Sequence, residues 1–301
     1  MPLKELAVTW FKAARAPFLV VSLVPAVLGG LVAWRDGPVD AWLFAVVTIG
    51  VVMAHSAADF VDDYFDFKKG NLGNKEKQFH DSPLIDGRVK PGQVLAAAIA
   101  CLVVALAAGV AALVAAGTPV LILTGIGAFI VFFYTSPPFA LNYRGLGETA
   151  LFLAFGPLIV VGIYYVLRGS FALEPLLASI PLGIFTMDVG LVSNTFDHDD
   201  DVLSGKRTLA LRLGQAGAVR LLTVLSVVAY LVVVAGVAAG AMTPWALLVL
   251  LTVPLAVQVV RRTSLFADTS HYTGAMGRAI ALSTVAGLLL CVGYGVTLAL
   301  G

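Results

Sequence analysis

The chain reads as an all-α polytopic membrane protein with nine transmembrane helices, and three observations carry that reading. Hydrophobic residues make up 59% of its 301 residues and charged ones 12%, against about 45–50% and 25% in soluble domains. Uncharged runs recur along the sequence: Ala16–Trp34, Ala41–Ala58, Pro91–Tyr143, Thr149–Leu167, Leu221–Val260 and Ala279–Gly301. Each is long enough to cross a bilayer, which takes about 20 apolar residues. The cations are also segregated between the loops. With nine spans, 17 of the 19 Lys and Arg fall on the side of the N-terminus, all but Arg35 and Arg168. That asymmetry puts the N-terminus inside and the C-terminus outside.

The elements follow in order. The first span, near 16–34, lies between Arg15 and Arg35, and the second, near 41–69, runs into an acidic stretch. Gly117-Thr118-Pro119 divides the next apolar run into helices near 92–116 and 119–136, because Gly and Pro punctuate helices. A fifth helix lies near 148–167, and a sixth, near 174–198, carries Asp188 within its apolar stretch. Thr243-Pro244 separates helices near 216–239 and 245–262, and a ninth covers 277–300. The runs do not alternate apolar and polar residues, which excludes a β-barrel. The first span has a basic flank without a small-residue cleavage site and reads as retained. Net charge is +1 and gives no indication of a nucleic-acid partner; no protein partner is evident. Cys101 and Cys291 fall inside helices without ligand spacing and read as packing residues.

Two stretches hold 8 of the 18 acidic residues: His55–Gly70 and Ser193–Arg207. Carboxylates beside a membrane are costly unless compensated, and mark a functional site by default. The stretches match at an offset of 135 residues: Asp59, Asp62, Asp66 and Gly70 against Asn194, Asp197, Asp201 and Gly205. Four helices separate the copies, so both point the same way. The expected organisation is a single domain over 1–301: pseudo-repeat halves near 1–142 and 143–275, each a parallel four-helix unit, plus the ninth helix.

At 100° per residue, His55, Asp59, Asp62, Asp63 and Asp66 fall within about 100° on one helix face, as do Asn194, Asp197, His198 and Asp201 on theirs. Asp199 and Asp200 fall off that face, toward solvent. Two such ladders repel at low dielectric. Divalent metal removes the repulsion, and oxygen-only ligands suit Mg²⁺. Two ions are expected, with Asp59, Asp62, Asp63, Asp66, Asp197 and Asp201 as ligands. Both ladders end their helices, where the macrodipole favours positive charge. The loops that follow are basic: Lys68, Lys69, Lys75, Lys77, Arg88 and Lys90, then Lys206, Arg207 and Arg212, with Arg144 in a short loop between. Metal-bridged carboxylates beside cations suit a diphosphate. For most of these cations topology and lipid contact are the better reading; Arg144, Lys206 and Arg207 are the exceptions. His55 and His198 each read equally as ligand, base or packed residue. Asp188 lies about 180° from Asp197, outside the ladder.

These residues resemble the UbiA superfamily of intramembrane aromatic prenyltransferases. The family pattern N-x-x-N-D-x-x-D, followed by Lys-Gly, is similar to Asp59-Phe-Val-Asp62-Asp63-Tyr-Phe-Asp66-Phe-Lys-Lys-Gly70, and its D-x-x-x-D to Asp197 and Asp201. The runs RAPFLVVSLVPAVLGG (15–30), YTSPPFALNYRGLGE (134–148) and SGKRTLALRLG (204–214) resemble the branch that prenylates dihydroxynaphthoate in menaquinone synthesis. Two departures stand out: Asp59 and Asp62 replace Asn, and Ser82-Pro83 occupies a segment where many members carry a diphosphate-binding Arg. Arg88 or Lys77 is the expected substitute.

The resemblance implies Mg²⁺-dependent transfer of a polyprenyl group from its diphosphate to a lipophilic, aromatic acceptor, on the cytoplasmic face of the plasma membrane. Asp63, Asp66, Asp197, Asp201 and Tyr134 are the expected catalytic residues. Asp59, Asp62, Asn194, Lys68, Arg88, Arg144, Lys206, Arg207, Arg15 and His55 are the expected substrate contacts, Arg15 toward an acidic acceptor. A carbocation needs aromatic faces; Phe132, Phe133, Phe152, Phe155, Tyr64, Tyr164 and Tyr165 are further candidates. Two other readings compete: a terpene cyclase of the same superfamily, and a cation transporter. Transporter sites lie near the midplane, whereas these ladders lie at helix ends.

Overall fold

The computed structural model describes residues 2–70 and 82–300, and helix is the only regular structure among them. The chain opens with α1, Leu3–Ala13, which the sequence reading does not anticipate. It is amphipathic: Trp10 meets Phe60 edge-on at 6.3 Å, while Leu6, Val8 and Phe11 are exposed. Arg15 then turns the chain in the left-handed region (φ 46°). A 3₁₀ turn at Ala16–Leu19 leads into α2, Val20–Arg35.

The remaining elements are α3 (Ala41–Lys69), α4 (Pro91–Ala116), α5 (Pro119–Phe133), α6 (Gly147–Arg168), α7 (Leu173–Phe196), α8 (His198–Leu203), α9 (Leu209–Leu213), α10 (Gln215–Ala238), α11 (Pro244–Thr263) and α12 (Tyr272–Leu300). Eight helices are long and apolar enough to cross a membrane: α2, α3, α4, α6, α7, α10, α11 and α12. The expected fourth span, α5, has 15 residues, about 22 Å of helix against a hydrocarbon core of about 30 Å. It ends at Phe133 rather than near 136 because Pro137 and Pro138 follow, and the residue before a proline is held out of the helical region. The first half of α11, Pro244–Thr252, is 3₁₀ rather than α.

Span α7 is the most deeply buried, with 72% of its apolar window inside the protein. It packs against α2, α6, α10 and α12 around one large core that includes Leu28, Phe185, Leu191, Leu222, Leu282 and Tyr294. Small residues permit this. A Cβ added at Gly156 of α6 would lie 2.8 Å from the Gly183 Cα of α7, so the two backbones touch. Beside that contact α6 carries a π turn, Ala154–Leu158, containing Pro157; a proline has no N–H to continue the ladder. The outer surface is apolar: Val114, Leu106 and Ile122 are 83%, 69% and 68% exposed. Large exposed apolar faces of this kind fit a lipid surrounding.

One end of the bundle is closed by a polar network. Arg35 pairs with Glu174, which also accepts the Tyr294 hydroxyl at 2.9 Å. Tyr164 donates to Asp36 at 2.6 Å, and Arg168 donates to the Asp36 carbonyl at 2.8 Å. Tyr165 stacks on Phe171 at 4.5 Å. These contacts place Tyr164 and Tyr165 at the end opposite the acidic ladders, correcting their place among the carbocation candidates. Spacing by 3.6 residues gives a helix face but not a depth.

Candidate active site

The acidic ladders meet at the other end. The first occupies the last turns of α3, which ends with Gly70 in the left-handed region (φ 75°), its N–H donating to the Asp66 and Phe67 carbonyls. The left-handed position suits glycine alone among common residues, so the motif's Gly stops the helix one residue past its cations. The second ladder is not continuous. The sequence reading places Asn194, Asp197, His198 and Asp201 on one helix, but α7 stops at Phe196 and Asp197 caps it before α8 begins. Aspartates at 197, 199, 200 and 201 have short polar side chains that compete locally for the backbone. The Asp201 N–H still reaches the Asp197 carbonyl at 2.8 Å, so the two carboxylates stay one turn apart.

Tyr143 is the point of convergence. Its hydroxyl donates to Asp66 at 2.8 Å. Lys69 lies 3.6 Å from the centre of its ring and Lys206 5.4 Å. Lys206 in turn pairs with Asp201 at 3.1 Å, both side chains nearly buried. One aromatic ring from the loop between α5 and α6 therefore links the end of α3 to the loop after α8. The sequence reading missed Tyr143, although it lies in the quoted run 134–148. A tyrosine in a loop among prolines has no periodic signal.

The remaining ladder residues have the following contacts. Asp62 accepts from Thr135, and Asp63 pairs with Arg15. His55 Nδ1 lies 3.0 Å from Ser22 Oγ and its Nε2 lies 3.7 Å from Asp59. The His55 ring stands edge-on to Phe155 at 4.7 Å, so the π turn of α6 presents an aromatic to the deep end of the first ladder. Asp197 accepts from Ser193 at 2.9 Å. Asn194 donates through its amide to Glu148 at 2.9 Å. Tyr134 is half-buried and caps α5, and its carbonyl accepts the Asn142 N–H at 2.8 Å.

Several expected contacts lie elsewhere. Arg144 is exposed, donating to the Pro138 carbonyl at 2.8 Å, and Arg88 is exposed and pairs with Asp86 at 2.6 Å. Lys68 sits 4.7 Å above the Tyr64 ring, and Arg207 is exposed. Short loops hold these backbones near the ladders, but long cationic side chains turn to solvent when a carbonyl or carboxylate lies outside. Lys75 and Lys77 lie outside the described residues. His198 pairs with the exposed Asp199 at 3.0 Å. Phe133 clusters with Phe129 and Phe139 on the rim, and Phe132 is largely exposed. Asp188 is fully buried and accepts from Ser226 of α10 at 3.2 Å, away from both ladders.

Among the described residues no three His, Cys, Asp or Glu side chains are already gathered as a metal cage. The carboxylates instead meet Arg15, Thr135, Tyr143 and Lys206. Their chemistry nonetheless fits Mg²⁺: hard oxygen donors on two elements joined through one ring.

The sequence profile of the UbiA prenyltransferase family matches residues 22–276. The chain belongs to that family. It is 29% identical over 275 residues to the 1,4-dihydroxy-2-naphthoate octaprenyltransferase of Bacillus subtilis (strain 168), covering 91% of this chain and 88% of the relative. It is 30% identical over 293 residues to the 2-carboxy-1,4-naphthoquinone phytyltransferase of Synechocystis sp., covering 95% and 92%. The fold is similar to that of a UbiA homolog from Aeropyrum pernix K1 (TM-score 0.72, 19% identity, covering 93% and 98%). It is also similar to a UbiA homolog from Archaeoglobus fulgidus bound to GPP and Mg²⁺ (TM-score 0.57, 14% identity, covering 94% and 99%). This member of the family is a prenyltransferase, an enzyme transferring alkyl groups other than methyl, and an integral multi-pass membrane protein.

Proposed function

We propose that the protein transfers a polyprenyl group from its diphosphate to an aromatic quinone precursor of the dihydroxynaphthoate class, at the cytoplasmic face of the plasma membrane, with two Mg²⁺ ions. The observation that carries this reading is the meeting of both acidic motifs and two lysines at Tyr143. The named relatives that act on naphthoate compounds support the acceptor class.

Asp59, Asp62, Asp63 and Asp66 on one side, and Asp197 and Asp201 on the other, are the residues to hold the metal. When bound there, Mg²⁺ neutralises the diphosphate and makes it a competent leaving group. Lys69 and Lys206 neutralise the outer phosphate oxygens; until substrate arrives Lys69 rests on the Tyr143 ring and the Thr135 carbonyl, and Lys206 on Asp201. Arg15 exchanges Asp63 for substrate, and the acidic acceptor is its partner in this reading. His55 and Phe155, one helical turn deeper, face the allylic end of the donor and keep water from it. Tyr134 offers a second aromatic face at the rim. The apolar tail runs outward between spans into lipid.

The topology is nine spans with the N-terminus inside, in two parallel four-helix halves plus α12. Among the described residues four long helices, α4 to α7, and the six-residue α8 lie between Lys69 and Lys206, and both lysines reach the same ring. An even number of crossings returns the chain to that side, so α5 counts as a span despite its length. The halves are proposed from the motif offset.

Two substitutions in purified protein test the assignment. Asp63→Ala and Asp197→Ala each abolish Mg²⁺-dependent release of diphosphate from geranyl diphosphate in the presence of acceptor. Retained turnover in both variants removes the metal reading. Donor incubated alone yields no cyclic product; a cyclic hydrocarbon or alcohol in that extract makes the protein a cyclase instead.

A further inference from the structure

The second half of the site is held from behind by a residue that the acidic motifs do not include. Glu148 lies in the first turn of α6 and is 1% exposed. Its Oε1 accepts the Asn194 amide at 2.9 Å and the Leu209 backbone N–H at 3.1 Å. Its Oε2 has no hydrogen-bond partner among the described residues. A buried carboxyl is costly unless its contacts do something specific. These two contacts join the three pieces that form this half: the end of α7, the start of α6 and the segment entering α9.

The consequences run to the ladder. A carboxylate oxygen that already accepts a backbone N–H takes another donor, so the Asn194 NH₂ faces Glu148 and its Oδ1 turns away. The loop 204–208 is then fixed at both ends. The Lys206 N–H donates to the Asp201 carbonyl at 3.0 Å on one side, and Glu148 holds the Leu209 N–H on the other. Between those anchors Lys206 meets Asp201. The adjoining backbones are in contact: a Cβ at Gly145 would lie 2.4 Å from the Arg207 carbonyl oxygen, in a residue with φ 74°. The Arg212 guanidinium also donates to the Arg144 carbonyl at 2.6 Å.

We propose that Glu148 is a positioning residue for the prenyl-transfer site, orienting the Asn194 carboxamide and setting the Lys206 loop against Asp201. This rests on the proposed reaction for its kinetic consequence, but not for its structural one. Both contacts use Oε1 alone, so Glu148→Gln preserves them. Glu148→Ala removes both. Leu209→Pro removes the backbone donor, together with the Leu209 side chain that packs on the core, and keeps the Asn194 contact. Leu209 is the first residue of α9 after the capping Thr208, where proline is tolerated, and Thr208 already has the extended conformation (ψ 165°) that precedes proline.

The test measures two quantities on intact protein in detergent. The first is the rate at which the Lys206 amine is modified by an acylating reagent without substrate, read by mass spectrometry against exposed Lys68. The second is the KM for geranyl diphosphate, against kcat, at saturating Mg²⁺ and acceptor. Glu148→Ala and Leu209→Pro raise Lys206 modification, and Glu148→Ala raises KM, by about tenfold, the usual effect of losing an outer-shell partner. Glu148→Gln leaves Lys206 modification and KM within about twofold of the parent. Lys206 protection unchanged in both Glu148→Ala and Leu209→Pro overturns the proposal, as does Glu148→Gln failing as far as Glu148→Ala. If the parent protein turns over no prenyl diphosphate, from geranyl to octaprenyl, the assigned reaction falls, while Lys206 modification still decides the role of Glu148.

Discussion

At the scale of single residues, the site is an arrangement of counter-ions awaiting exchange. Asp63, Asp66 and Asp201 each already face a cation or hydroxyl, from Arg15, Tyr143 and Lys206. In the proposed reaction, binding a metal diphosphate swaps these contacts rather than creating charge pairs from nothing. Tyr143 serves both ladders, so its two functions separate by substitution. Tyr143→Phe loses the bond to Asp66 and keeps the ring under Lys69 and Lys206, lowering kcat/KM by roughly tenfold. Tyr143→Leu loses the ring as well and lowers it by roughly a hundredfold. Steady-state diphosphate release measures both, and parental turnover in Tyr143→Leu removes the residue from the site. The departures at Asp59 and Asp62 now have contacts. Asp62 accepts from Thr135 and Asp59 lies beside His55, two contacts that suit an acceptor-only carboxylate.

At the scale of elements, what the sequence discloses depends on periodicity. Eight long apolar helices and the face shared by Asp59, Asp62, Asp63 and Asp66 repeat at helical spacing, and they stand out without coordinates. The break at Asp197, the rim cations Arg88 and Arg144, and the roles of Tyr143 and Glu148 do not repeat. They are set by which loop folds onto which, and a single sequence carries no signal for that. The π turn in α6 is intermediate: Gly156-Pro157 announces an irregularity, but not that Phe155 will meet His55. Close packing at this irregularity is testable. A Cβ at Gly183 would lie 2.6 Å from the Phe152 carbonyl oxygen, whereas one at Gly162 meets nothing within 4 Å. Gly183→Ala therefore destabilises by about 1–3 kcal/mol through overpacking, and Gly162→Ala costs nothing measurable. Thermal unfolding in one detergent compares them directly; equal midpoints contradict the close approach of α6 and α7.

At the scale of the whole molecule, polar chemistry is divided between the two ends of an apolar bundle. The far end holds Arg35, Glu174, Asp36 and Arg168 in mutual pairs, and these include both cations that the charge count leaves outside. The near end holds the ladders and the cations of the following loops. The fold thus gathers charge toward the ends of the spans, Asp188 excepted, and the division follows the distribution of Lys and Arg along the chain. Orientation is therefore open to measurement at two exposed serines that follow spans, Ser170 after α6 and Ser264 after α11. With Cys101 and Cys291 replaced by Ala, a membrane-impermeant maleimide applied to intact cells labels Ser170→Cys and spares Ser264→Cys until the membrane is permeabilised. The positive-inside bias of 17 to 2 Lys and Arg demands that order. Removing α5 from the count would put the Lys69 and Lys206 loops on opposite sides of the membrane, which their shared contact with Tyr143 opposes. In that case Ser170→Cys would be protected and Ser264→Cys labelled, because α7, α10 and α11 separate the two sites in either count; reversed labelling therefore rejects nine crossings with the N-terminus inside, and labelling of both or neither in intact cells rejects three crossings between them.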